Sequence, residues 1–163
     1  MEALPDGLRA ALEGRFPGYH VPGFADEVDG WAPEPDRTEP PFFCRGDFDG
    51  DGQQDFATFV LGQGRWRLVA AHHYGGEHVL HVLDRFPGRD EAFTKANPAQ
   101  RFRLRTLEAG GALVIEGSIF EPSRHPFDSI VLVSHDESNG LMHYRWRERR
   151  NAYAASAFGS LTD

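Results

Sequence analysis

Aspartates recur at Asp47, Asp49, Asp51 and Asp55 in the run Gly46-Asp47-Phe48-Asp49-Gly50-Asp51-Gly52-Gln53-Gln54-Asp55-Phe56-Ala57-Thr58-Phe59. Alternate residues of a tightly curled loop can aim their oxygens at one centre. Calcium takes six to eight oxygen ligands at roughly 2.3–2.6 Å, so it needs several carboxylates from a short segment. Carboxylates held that close repel one another, and a divalent cation removes the repulsion. Gly50 and Gly52 supply the freedom to curl. Gln53 is placed to add its main-chain carbonyl, and Asp55 to close the shell. The expected cofactor is therefore Ca2+, held by the loop 47–55 in a structural rather than a catalytic role.

Only the first half of the loop follows the EF-hand pattern. That pattern requires a glutamate at the twelfth position and then a helix. Here the twelfth position is Thr58, and Asp55 to Leu61 reads as a buried strand. The unit is a D-x-D-x-D-G-x-x-D loop running into a strand. In this it resembles the calcium loop of FG-GAP and VCBS-type repeats, found in integrin α-chain propellers and many bacterial surface proteins. The resemblance implies Asp47, Asp49, Asp51, Gln53 (through its carbonyl) and Asp55 as ligands. It covers a single copy of the loop, and 163 residues are too few for several blades of the usual size.

The length fits one domain over 1–163, able to bury a core. The formal net charge of -8 argues against a nucleic-acid partner, since phosphate contacts need a net basic surface. No apolar run approaches the roughly 20 residues that span a bilayer. No signal peptide is visible in the opening Met1-Glu2-Ala3-Leu4-Pro5. The loop itself favours a periplasmic, secreted or cell-surface setting, where weak calcium sites fill. Cys44 reads as a small buried apolar residue.

The elements that must position the loop are mostly short strands. Residues 4–14 read as a helix, with Pro5 in the first turn and Leu8 and Leu12 sharing a face. Residues 21–41, with Pro22, Pro33, Pro35, Pro40 and Pro41, read as an extended loop. Strands are expected at 42–45, 55–61, 65–74 and 77–84, with Gly75-Gly76 as a hairpin turn. Further strands are expected at 101–107, 112–120, 127–134 and 141–147, with a last element at 151–158. Gly110-Gly111 and Asn139-Gly140 are read as hairpin turns. The fold class is all-β with a short N-terminal helix: a mainly antiparallel meander forming a sandwich, a partial barrel or propeller-like sheets.

Other clusters are weaker. With a two-residue turn at Gly75-Gly76, His73 faces His78, and His72 and His81 point to the opposite face. Two imidazoles fall short of the three or four ligands of a zinc site, so a polar strand face is the simpler reading. Arg101, Arg103 and Arg105, and Arg145, Arg147, Arg149 and Arg150, suggest basic faces for an acidic partner or an anionic glycan. Ordinary salt pairing accounts for them more simply. No nucleophile elbow, phosphate loop, dinucleotide fingerprint or H-E-x-x-H motif is present. Glu116 and Asp128 are the one carboxylate pair a glycosidase could use. The expected function is a non-catalytic, calcium-binding domain that engages a protein partner outside the cytoplasm. One version is an inhibitor or immunity-type protein for a secreted enzyme such as a lysozyme. A calcium-supported glycan hydrolase and a structural or adhesive surface module are the alternatives.

Overall fold

The acidic loop connects the first two strands of a sheet, and that sheet is covered on both sides. In the computed structural model the described residues are 4–23, 42–86, 98, 102–115, 118–120, 125–134 and 141–158. Strands β1 (Phe43–Gly46), β2 (Asp55–Gly62), β3 (Arg65–Tyr74) and β4 (Glu77–Phe86) form an antiparallel meander in that order. The second sheet is built from β5 (Phe102–Leu107), β8 (Ser129–Ser134), β9 (Leu141–Arg147) and β10 (Ala152–Phe158), ordered β10-β9-β8-β5 and also antiparallel. Two short strands, β6 (Leu113–Ile115) and β7 (Ser118–Phe120), pair among the described residues only with each other. The fold is thus all-β with a short N-terminal helix, and the two large sheets share a core as a sandwich.

The alternation of side chains along β2 and β3 decides what each face meets. Ala57, Phe59, Trp66, Leu68 and Ala70 pack with Leu104, Ile130, Leu132 and Tyr144 of the second sheet. Phe56, Val60, Val69 and Ala71 turn to the other side, where Leu8, Leu12 and Phe16 cover them. These last three belong to or follow helix α1 (Asp6–Arg15), which starts two residues later and ends one residue later than the expected 4–14. Double coverage explains why β2 is apolar on both faces: every residue from Asp55 to Val60 is buried. Cys44 is buried in the inter-sheet core, as its flanking Phe43 suggests.

The Gly75-Gly76 hairpin forms as expected, with Tyr74 opposite Glu77 and His73 opposite His78. Strands β8 and β9 also pair antiparallel; the Asn139-Gly140 turn between them lies outside the described residues. The Gly110-Gly111 hairpin does not form. Strand β5 pairs with β8, placing Arg105 opposite Val131, and Gly110 instead donates its N–H to the carbonyl of His125. The segment 112–120 is two strands rather than one, Leu113–Ile115 paired antiparallel with Ser118–Phe120. Strand β8 begins at Ser129 because Asp128 is engaged in holding the acidic loop. Most of the proline-rich 21–41 and all of 87–97 lie outside the described residues.

Candidate metal centre

The loop after β1 curls because its own side chains bond its backbone. Asp47 accepts hydrogen bonds from the N–H groups of Gly50 (2.8 Å) and Gly52 (3.0 Å). Asp49 accepts from the N–H of Asp51 (3.1 Å), and Asp51 from the N–H of Gln53 (2.7 Å). These are Asx-type turns in series, the structure that aspartates near glycines favour. Gln53 also donates its side-chain amide to Asp51 (2.8 Å). Gly50 is required on two counts. Its φ is +82°, and a Cβ there would lie 2.2 Å from the ring of Phe127. Gly46 is confined as well, since a Cβ would meet Phe48, Asp128 and Thr106 within 3.0 Å.

The four aspartates do not gather at one point. Asp47, Asp49 and Asp51 bring one oxygen each within 4.8 Å of one another at the outer rim. Asp55 groups instead with Asp49 and His72, again within 4.8 Å. Asp55 opens β2, is fully buried, and accepts main-chain N–H bonds on both oxygens, from Phe48 (2.9 Å) and His73 (2.9 Å). Burial pushes its carboxyl up to about 7, reinforced by the charges of Asp49 and Asp51 and opposed by the two N–H bonds. A cation beside Asp55 would offset that desolvation cost.

His72 is the neighbour that sequence reasoning missed. It follows Trp66, Leu68 and Ala70 on the inward face of β3 and is fully buried. Its Nδ1 lies 3.3 Å from Oδ2 of Asp49 and 3.2 Å from the Tyr74 hydroxyl. Its Nε2 lies 2.7 Å from the Tyr153 hydroxyl of β10. Tyr74 donates its own O–H to Asp49. Burial and the neighbouring His81 push the His72 imidazole down to about 4, against the pull of Asp49 and Asp51, so the ring is neutral at ordinary pH. The period-2 pattern separates His72 from His73, but nothing local to β3 shows that the loop curls back over its end.

The second sheet fastens the loop. Asp128 accepts from the N–H of Asp47 (3.0 Å) and of Ala109 (3.0 Å), and donates its own N–H to the Asp47 carbonyl (3.1 Å). Thr106 of β5 donates its hydroxyl to the carbonyl of Arg45 (2.7 Å). Asp128 therefore has a positioning task. Its proposed partner Glu116 lies outside the described residues.

No family model, curated protein or solved structure matches this chain.

The site must accordingly be judged by its own chemistry. The outer rim offers carboxylate oxygens from three residues, a donor set suited to a hard cation. Gln53 spends its N–H and its side-chain amide on Asp51. Its main-chain carbonyl is the group the calcium reading uses. The inner group, with one imidazole and two carboxylates, has a different character. His73 and His78 stack with ring centroids 4.9 Å apart, and among the described residues they join no third metal-ligating group. The basic faces are less open than their sequence pattern suggests. Arg103 is buried, Arg105 and Arg145 are partly buried, and Arg147, Arg149 and Arg150 are exposed. Arg101 lies outside the described residues.

Proposed function

We propose that this protein is a calcium-stabilised, non-catalytic binding domain that works outside the cytoplasm. The observation that carries this reading is the convergence of Asp47, Asp49 and Asp51 within 4.8 Å on a loop whose curl is built in. Gly50 packs against Phe127, and Asp128 holds Asp47. A calcium ion there would relieve carboxylate repulsion at a junction between two sheets, so its effect would be on stability. Asp47 is half-buried and Asp51 exposed at the rim, consistent with an extracellular-type affinity of about 0.1–1 mM. The partner is proposed to be a protein, with a secreted muralytic enzyme as the specific case, and a panel of such enzymes assayed for inhibition checks that step.

Calorimetric titration of calcium into chelator-treated protein, with melting curves alongside, tests the core of the proposal. One ion per chain, a raised Tm and a Kd near millimolar are expected. No heat and no shift in Tm would overturn it. Sub-micromolar binding would move the protein to a compartment of low free calcium.

A further inference from the structure

Behind the calcium loop, the first sheet buries His72, which the calcium reading does not use, against Asp49 and Asp55. His72 and Asp55 are fully buried, and the side chain of Asp49 is 5% exposed. One donor atom from each lies within 4.8 Å of the other two. We propose that Asp49, Asp55 and His72 form a second cation site, of the transition-metal class represented by Zn2+.

Three features of the geometry favour an ion of this class. The first is spacing. Zinc–ligand bonds of about 2.0–2.1 Å at a tetrahedral angle put two donors about 3.3 Å apart. His72 Nδ1 and Asp49 Oδ2 stand at 3.3 Å. The second is ligand type. Calcium takes oxygen, whereas imidazole with carboxylate suits zinc and its neighbours. The third is the outer shell. A metal-bound imidazole almost always gives its other N–H to an oxygen. His72 Nε2 has the Tyr153 hydroxyl at 2.7 Å. With the proton on Nε2, the Nδ1 lone pair faces Asp49. Both Asp55 oxygens are likewise oriented, by the N–H groups of Phe48 and His73, and each retains a lone pair.

The Tyr74 hydroxyl, near both Nδ1 and Asp49 Oδ2, occupies the fourth side. Tyr74 is 39% exposed, so this is where an ion would enter and where water or the phenol oxygen would complete the shell. Metal entry breaks the Tyr74 O–H bond to Asp49, and a proton on Nδ1 moves to Nε2 as the ring changes tautomer. No net proton is released unless Asp55 carries one. The site shares Asp49 and Asp55 with the calcium reading but does not depend on it, since neither Asp47 nor Asp51 takes part.

The test is a titration of chelator-treated, full-length protein with Co2+, read by its visible absorption and by paramagnetic shifts of histidine ring protons. One Co2+ per chain is expected, with the shifted resonances assigned to His72. The His72→Phe variant should bind Co2+ more weakly by over about a hundredfold, beyond the range for losing an outer-shell partner. The Asp47→Asn/Asp51→Asn double variant should keep the cobalt spectrum while losing the heat of calcium binding. His73→Gln/His78→Gln should keep both. The inference is overturned if wild-type protein takes up no Co2+. It is also overturned if the shifted ring belongs to His73 or His78, or if the His72→Phe variant binds unchanged. Should that variant fail to fold, the assignment in wild-type protein decides alone. A cobalt site without any calcium heat would sink the calcium reading and leave this one standing.

Discussion

Asp128 accepts the main-chain N–H of Asp47 at 3.0 Å, and the Asp47 carbonyl accepts the N–H of Asp128 at 3.1 Å. This reciprocal pair joins the loop of one sheet to the threshold of the other. Its carboxylate is also an acceptor for Ala109. Replacing Asp128 with alanine removes both side-chain bonds. A loss of about 2 kcal/mol is expected, the scale of hydrogen bonds to a charged group. Urea denaturation in chelator and in calcium checks it. The loss should be larger in calcium, because a loosened Asp47 also binds the ion less well.

Gly50→Ala combines two penalties. Left-handed backbone costs a non-glycine residue roughly 1–2 kcal/mol, and overpacking typically costs about 1–3 kcal/mol more. The Phe127 ring is the obstacle at 2.2 Å. The double variant Gly50→Ala/Phe127→Ala should therefore recover the steric part and not the backbone part. If Gly50→Ala alone melts like the parent, the loop does not hold this conformation in solution.

Asp51→Ala separates ion binding from loop folding. Asp51 is exposed, and among the described residues its carboxylate accepts only from Gln53. In chelator the variant should lose no more than about 0.5–1 kcal/mol. At a calcium concentration 100 times Kd the parent should gain about 2.7 kcal/mol that the variant does not. Equal losses in both conditions would mean that Asp51 acts through the turn alone.

The pH dependence has a distinct source in the second sheet. His143 is buried, with Nε2 2.7 Å from Ser129 Oγ and its ring 5.9 Å from that of His125. Burial, with Arg145 and His125 adding to it, pushes the imidazole down to about 4 from 6.5. Between those values the unfolded chain binds the extra proton, so stability falls as pH drops from about 6.5 towards 4. The slope is at most about 1.4 kcal/mol per pH unit, and this group adds none above the window. Measured at fixed calcium, His143→Gln should show a shallower acid loss than the parent. Superimposable profiles would remove His143 from the account.

Much of the architecture was legible because it is local. The Gly75-Gly76 turn specifies the pairing of β3 with β4 from Tyr74–Glu77 as far as Val69–Val82, beyond which the register shifts by one residue and Leu68 meets Asp84. The double burial of β2 shows in its unbroken apolar run. The curl of the acidic loop is also local, since its aspartates bond N–H groups two to five residues away. What sequence could not supply is long-range. Gly110-Gly111 resembles a hairpin turn, yet β5 takes β8 as its partner, and pairing across that separation leaves no turn signal. Asp55 looked like a fourth outer ligand because spacing says nothing about depth. Its burial is set by β3, which delivers the His73 N–H and His72. Likewise Asp128 looked like half of a carboxylate pair, and only its three main-chain contacts show it as a fastener.

Those contacts bear on how the molecule comes apart. A surface loop usually frays alone, at a free energy far below that of global unfolding. Here the amides of Asp47, Phe48, Ala109 and Asp128 are each tied to an acceptor in or beside the same loop, and the two bonds between Asp47 and Asp128 cross between the sheets. Opening the loop breaks the reciprocal Asp47–Asp128 bonds that join the two sheets. Amide exchange there should be as slow as in the sandwich core, making the acidic turn a seam of the fold and the last of its connections to yield.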